Sequence, residues 1–307
     1  MIYLICELFE NGKGNDVVTY DHVLYVPKIS ICNDNLLHED KVISFRKDDI
    51  VIFSVNEDGM HYIQKVKMTI PGMYNKLLQI REHIIGKYPS INIYNDPIYF
   101  DAIGNKYKTY ELLKNKYGMP LYDDFKNYRK WNTYPCIVSA SRASGGRCRN
   151  LCQNPEELEE HGKNIKRTKG NTFIVQYIDS YIQDLDCYHN LRFMVVNNHI
   201  IDWFCRPGNG WNIHTRTQNM SKLSQCDIWF RNWYKSNERK VMMFIEQMYD
   251  TLGKGVYSYD CIICNDEIYL CEVGYKFWDD TFSKLIKMNK ITNEPQKYKK
   301  LIALYIR

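Results

Sequence analysis

The sequence predicts a mixed α/β (α+β) fold, and three observations carry that prediction. Short β-rich runs bounded by polar or Gly-containing turns recur along most of the chain. Between them lie segments whose apolar residues follow helical spacing. The chain also has 307 residues, 45% of them hydrophobic and 25% charged, enough to bury a sizeable core. At roughly 150 residues per domain this suggests about two domains, or one with a large elaboration. The same balance excludes a mainly disordered or collagen-like chain.

The first ~95 residues read as a small α/β unit. Ile2–Leu8, Val23–Val26 and Ile50–Val55 are strand-like runs. Met73, Leu77, Ile80 and Ile84 then mark a helix, with Pro71 and Gly72 before it and Pro89 after it. Ile91–Tyr94 is another short strand. From Ala102 the texture changes. Lys106–Tyr117 is predicted helical, with Leu112 and Leu113 inward and Gly118 as its stop. Cys136–Val138 is a short buried strand, followed by a small-residue loop over 139–147. Asn154, Pro155 and Glu157 form a strong helix start: Asn caps, Pro takes the first turn, and Glu stands three residues after the cap. Phe173–Ile178 is a strand. Leu191–Val196 and Ile200–Cys205 form a hairpin around Asn197 and Asn198. Residues 207–240 read as loops. Val241, Phe244, Ile245, Met248 and Leu252 form a helical face stopped by Gly253. Tyr257–Cys264 and Ile268–Val273 make a last hairpin, and the C-terminal 25 residues read as one or two Lys-rich helices.

Net charge is +5, mildly basic, which suits an anionic ligand such as a nucleotide and is too weak to argue for nucleic acid. No stretch approaches the ~18 apolar residues of a membrane-spanning helix. The apolar start, Met1 to Cys6, is interrupted by Glu7 and follows no basic segment, so it reads as a buried strand rather than a signal peptide. Eleven irregularly spaced cysteines then read as reduced thiols of a cytoplasmic protein. Cys261 and Cys264 form the single C-x-x-C, inside a strand pattern, which argues against zinc.

The most informative feature is the last hairpin. With a three-residue loop, 265–267, Cys264 faces Ile268 and Asp260 falls opposite Glu272 on one face of the sheet. Two like charges so placed repel. A divalent cation reverses that sign, and Mg²⁺ is held by one or two carboxylates together with substrate phosphates. The alternative is a pair of solvated carboxylates. The loop after Val138 holds Ser144, Gly145 and Gly146 among Arg142, Arg147 and Arg149. Such a loop can bring backbone N–H groups and guanidiniums to phosphate oxygens, or be an ordinary surface turn; it is not a Walker A sequence. Arg192 and Arg206, in otherwise apolar strands, are rim residues or phosphate ligands. His214, in a turn-rich loop, is either structural or substrate-facing. The aromatics of Trp229–Tyr234 read as helix packing rather than base stacking.

Taken in order, these parts resemble an ATP-grasp enzyme over roughly residues 95–280. The carriers are "NKYKTYELLKNKYGMPLYDDF" (105–125), "YPCIVSASRASGGRCRNLCQNPEEL" (134–158), "TFIVQYI" (172–178), "NLRFMVVNNHIIDWFCRP" (190–207) and "YSYDCIICNDEIYLCEVG" (257–274). The resemblance implies a small N-terminal α/β domain over 1–97 and two α+β subdomains clasping ATP, a lid over 98–172 and a C-terminal part over 173–285. A helical tail follows over 286–307. It implies ATP-phosphate contacts from Lys106 (or Lys108), Arg142, Ser144, Gly145 and Gly146, a hinge of Gln176, Tyr177 and Ile178 beside the adenine, and Asp184 in the same nucleotide-binding set. It implies Mg²⁺ on Asp260 and Glu272, and Arg192 and Arg206 steadying the transferred phosphoryl group. Asn190 stands in place of an acid, Ser139 where the family has a lysine and Gly274 where it has a metal-binding Asn, unless Asp279 or Asp280 moves in.

The implied activity is an ATP- and Mg²⁺-dependent ligase, joining a small-molecule or peptide carboxylate to an amine or thiol through an acyl phosphate. The rivals are a kinase of the same fold acting on a hydroxyl, and a nucleotide-binding regulatory protein without turnover. No membrane partner is implied.

Overall fold

A computed structural model of the chain describes residues 1–6, 21–54, 70–142, 148–165, 170–213 and 217–275. The predicted strands β1 (Ile2–Cys6), β2 (His22–Tyr25), β6 (Ile50–Ser54) and β7 (Asn92–Tyr94) form one parallel sheet in the order β2-β1-β6-β7. All five residues of β1 are buried, because the sheet is covered on both faces. Tyr3 and Ile5 share a core with helix α1 (Ile70–Lys87), which buries Met73, Leu77, Ile80 and Ile84 as its spacing predicts. Ile2, Leu4 and Cys6 pack instead with Met194, Val196 and Phe204 of the third sheet, later in the chain. Between β2 and β6 runs a meander of three short strands, β3 (Ile29–Cys32), β4 (Asn35–His38) and β5 (Lys41–Ile43), which the sequence reading passes over. Its turns, Asn33-Asp34 and Glu39-Asp40, carry positive φ at both positions without the glycine that usually signals such a turn.

The short helix α2 (Phe100–Ile103) leads into α3 (Lys106–Leu112), capped by the Asn105 side chain, which accepts from the Lys108 amide at 3.2 Å. The predicted helix continues to Tyr117, whereas α3 stops at Leu112 and the chain turns through Asn115 (φ 65°) and Gly118 (φ 80°). A second sheet follows, with the antiparallel order β10-β9-β11-β8: β8 (Tyr122–Asp124), β9 (Cys136–Ala140), β10 (Arg149–Cys152) and β11 (Thr172–Gln176). Helix α4 (Pro155–Asn164) packs on it and begins as predicted: Asn154 accepts from the Glu157 amide at 2.9 Å, and Glu157 accepts from the Gln153 amide at 2.8 Å.

The third sheet contains β12 (Tyr181–Ile182), β13 (Cys187–Val196), β14 (His199–Gly208), β15 (Val256–Cys264) and β16 (Glu267–Gly274), with β13 flanked by β14 and β15. Helix α5 (Leu223–Leu252) covers one face, burying Val241, Phe244, Ile245, Met248 and Leu252; Gly253 (φ 71°) ends it. The reading of 207–240 as loops is therefore corrected from Leu223 onward. Its N-terminal half is rich in Trp, Tyr and Asn, weak helix formers, and it holds because Cys226, Phe230 and Trp233 are buried against the sheet. The aromatics of Trp229–Tyr234 are helix-packing residues, as expected: Phe230 stacks on Trp233, and Tyr234 stacks on Trp203 at 4.7 Å. The C-terminal helices expected beyond residue 285 lie outside the described residues.

One buried histidine locks this sheet. His189 Nδ1 donates to the Ser180 carbonyl at 2.6 Å, and Nε2 accepts the Ile263 amide at 3.0 Å, which fixes the neutral tautomer. Burial lowers its pKa to about 4. The unfolded state, titrating near 6.5, binds more protons between those values, so stability rises with pH from about 4 to 6.5, by roughly 3 kcal/mol from this group. Urea midpoints across that window should show the rise, and His189→Gln should flatten it. An unchanged slope in the variant would remove His189 as the cause.

Candidate nucleotide and metal site

The hairpin β15–β16 turns through two residues, not the expected three. Asn265 (φ 50°) and Asp266 (φ 59°) form the loop, so Cys264 pairs with Glu267 and not with Ile268. Continued without interruption, that register would set Cys271 opposite Asp260. A β-bulge between Asp260 and Cys261 takes up the extra residue, and Asp260 pairs with Glu272 after all. The Tyr110 hydroxyl holds the bulge by donating to the Cys271 carbonyl at 3.2 Å.

On the other side of β15, Arg192 of β13 is the register partner of Asp260. Arg192, Asp260 and Glu272 thus form one row across three adjacent strands. Arg192 binds Asp260 through both ends of its fork, Nε to Oδ1 at 2.6 Å and Nη2 to Oδ2 at 2.9 Å. Arg206, from β14, donates to Oδ2 at 3.0 Å. Burial raises the Asp260 pKa, but the two guanidiniums outweigh it and hold the group at about 2.

Lys106, the first residue of α3, closes the row. Its Nζ lies 3.2 Å from Glu272 Oε2, while its amide donates to the Ser141 carbonyl at the end of β9, tying α3 to the second sheet. Lys108, the alternative lysine, pairs with Asp101 on the surface. Arg142 also pairs with Asp101 and donates to the Gly104 carbonyl at 3.3 Å, so it braces the α2–α3 turn. Ser144, Gly145, Gly146, Arg147, His214, Asp279 and Asp280 lie outside the described residues.

Arg149 is the residue the sequence reading undervalued. It is the register partner of Ser139, so it stands on the face of the second sheet where the expected lysine is missing. Its guanidinium lies over the Trp211 ring at 5.5 Å, its charge acts on Tyr110 and Cys271, and its Nε is buried without a hydrogen-bond partner among the described residues. The signal was available in principle: an antiparallel pairing of Cys136–Ser139 with 149–152 places a cation opposite Ser139.

At the hinge, the Gln176 amide donates to the Leu121 carbonyl at 2.8 Å and the Tyr177 amide to the Pro135 carbonyl at 3.2 Å. Ile178 is therefore the hinge residue whose amide these pairings leave unused. The Tyr177 ring meets Trp211 edge-on at 6.3 Å. Asp184 is exposed in the turn Gln183–Leu185, between β12 and β13.

Among the described residues no three His, Cys, Asp or Glu side chains are arranged to hold a metal ion by themselves. Cys261 and Cys264, three apart on one strand, point to opposite faces and cannot share one. Asp260 and Glu272 are two hard oxygen donors in register, a set that fits one Mg²⁺ whose other ligands are phosphate and water oxygens. Gly274 adds no side chain.

No protein-family model and no curated protein matches the sequence. The fold has clear counterparts among solved structures. A RimK-domain ATP-grasp protein from Sphaerobacter thermophilus is 9% identical, with 99% of each chain covered and a TM-score of 0.55. The ATP-grasp ligase PsnB, solved with a minimal precursor, is 10% identical over 99% of this chain and 97% of that one, at a TM-score of 0.59. N5-carboxyaminoimidazole synthetase from Staphylococcus aureus, complexed with ADP, is 12% identical over 93% and 73%, at 0.51. The chain has the ATP-grasp fold. No described helix is long and apolar enough to cross a membrane.

Proposed function

We propose that this chain is an ATP- and Mg²⁺-dependent ligase that activates a carboxylate as an acyl phosphate for attack by an amine or thiol. The observation that carries the reading is the convergence of three cations, Lys106, Arg192 and Arg206, on two register-paired carboxylates, Asp260 and Glu272. In this reading residues 98–172 form the lid and 173–285 the opposing subdomain, after an N-terminal domain over 1–97. Asp260 and Glu272 hold Mg²⁺, which neutralises phosphate charge. Lys106 and Arg149 hold ATP phosphates, and the Ile178 amide faces the adenine. Arg142, bound to Asp101, supports the lysine helix.

A carboxylate is a poor electrophile because its leaving group would be oxide. Transfer of the γ-phosphoryl group releases ADP and makes phosphate the leaving group; an incoming amine then displaces that phosphate and loses a proton, giving the amide. Arg192 and Arg206 steady the charge on the transferred group through planar, bidentate-capable forks. What the protein supplies is position and charge neutralisation. Small carboxylates, or peptides ending in or bearing them, are the substrates this chemistry requires.

A non-catalytic nucleotide binder is the second reading, favoured by the saturation of Asp260 with two guanidiniums. Two measurements separate the readings. ATP with Mg²⁺ at about 100 times Kd is expected to stabilise the native state by roughly 2.7 kcal/mol, read as a rise in Tm. No shift at millimolar concentrations counts against both readings. With hydroxylamine as acceptor and a panel of amino acids and acidic peptides as donors, a ligase forms hydroxamate and releases ADP. ATP stabilisation without hydroxamate or ADP from any donor favours the binder, and a phosphorylated hydroxyl product identifies a kinase.

A further inference from the structure

Three cysteines from separate elements meet beneath the face of β13 and β14 that packs on α5. Cys187 opens β13, Cys205 lies in β14 and Cys226 sits in the first turn of α5; all three are buried, at 1%, 1% and 0% exposure. Alternation explains the meeting. Cys187 and Leu191 share a face of β13, and Leu191 is the register partner of Cys205. The Cys226 thiol hydrogen-bonds that of Cys205, and the Cys187 thiol lies near enough to Cys226 for the two to interact. The Cys226 Sγ lies 2.7 Å from that of Cys205, about 0.7 Å longer than an S–S bond and closer than unbonded sulfurs pack.

We propose that Cys205 and Cys226 are a cross-linking site, forming a disulfide that ties β14 to α5. The reaction is a two-electron oxidation. With hydrogen peroxide, the two thiols lose two hydrogens, the O–O bond breaks and two waters form. With a small-molecule disulfide, the same hydrogens end on two released thiols. Cys187, the third buried thiol near Cys226, is the one available to exchange with the link. A metal ion is the other chemistry three thiols suggest, but among the described residues they lack the arrangement to hold one.

The link has a consequence for the site on the opposite face. Arg206 follows Cys205 and points the other way, to Asp260. Fixing Cys205 to α5 fixes the strand that presents Arg206 and closes a loop over residues 206–225. This inference stands independently of the proposed reaction.

The test uses the full chain. Native protein is treated with hydrogen peroxide, or with oxidised glutathione, until the exposed Cys32 is fully converted. It is then denatured with N-ethylmaleimide, digested and mapped by mass spectrometry. The expected result is a cross-linked peptide pair containing Cys205 and Cys226. Cys187→Ser retains it, Cys226→Ser loses it, and the oxidised wild type melts several degrees above the reduced form, a difference that Cys226→Ser removes. Should Cys205 and Cys226 both carry N-ethylmaleimide after Cys32 has reacted, the proposal is overturned. Native mass spectrometry showing a metal ion released by thiol alkylation would overturn it equally. If Cys226→Ser does not fold, the wild-type peptide map decides alone.

Discussion

Glu272→Gln is expected to lower ATP turnover on the order of 10³-fold or more while leaving the fold intact, on the proposed reading of the site. Glutamine keeps the shape and one oxygen but not the charge that opposes Mg²⁺, and removing one such electrostatic group costs roughly 10²–10³-fold even where it is a single hydrogen-bond donor. The structural cost is small. Glu272 sits at the rim, its side chain 38% exposed, and its ion pair with Lys106 spans 3.2 Å. Pairs of that kind contribute under about 1 kcal/mol, so Tm in the absence of nucleotide is expected to stay nearly fixed. The Tm rise with ATP and Mg²⁺ shrinks in the variant, whereas ATP alone still stabilises it through the unaltered cations. Turnover at the wild-type rate removes Glu272 from the metal site. A variant whose apo Tm falls by many degrees shows instead that Glu272 is a structural residue.

Much of this architecture was legible because burial on two faces leaves a mark in sequence. The runs at Ile2–Cys6 and Ile50–Ser54 are continuous apolar strands because α1 covers one face of their sheet and the third sheet covers the other. Caps were legible for the same local reason: Asn154 satisfies the Glu157 amide of α4 and Glu157 that of Gln153 just before it, without help from tertiary structure. What escaped was structure held by distant partners. The N-terminal half of α5 carries aromatics and Asn237, where the helix kinks, and only its contact with the sheet makes it helical. Strand β10 is four residues with a single fully buried side chain, and it exists through pairing with β9. Arg149 was hidden with it.

The pairing of Asp260 with Glu272 shows how narrow the inference from a loop length is. The expected three-residue loop gave that pair directly. The actual two-residue turn offsets it by one, and the bulge restores it. Nothing local in the sequence announces the bulge, since Cys271 is an ordinary strand residue. Tyr110, 161 residues away, is what holds its carbonyl. The two carboxylates therefore reach one row by a route that the alternating pattern alone does not contain, and the arginine beside them, Arg192, completes the row through a third strand.

That third strand sets the largest expected effect on stability. Arg192→Leu is expected to destabilise the fold by about 3 kcal/mol or more, because it leaves the Asp260 carboxylate buried with Arg206 as its remaining guanidinium. The pH dependence identifies the cause. In the wild type burial pushes the Asp260 pKa up and the arginines pull it down further, to about 2, against 3.8 in an ordinary carboxylate. The charged form is thus favoured in the native state. Its contribution, roughly 2 kcal/mol, is complete above pH 3.8 and is lost as pH falls toward 2. With one guanidinium removed the native pKa rises, and the added acid sensitivity between pH 2 and 3.8 shrinks or reverses sign. Asp260→Asn serves as the comparison, because it abolishes the titration itself and leaves both arginines facing a neutral amide. Equilibrium urea unfolding of the three proteins at several pH values reads the difference. If Arg192→Leu matches the wild type at pH 7 and keeps its slope below pH 4, the ion pair contributes nothing to the fold.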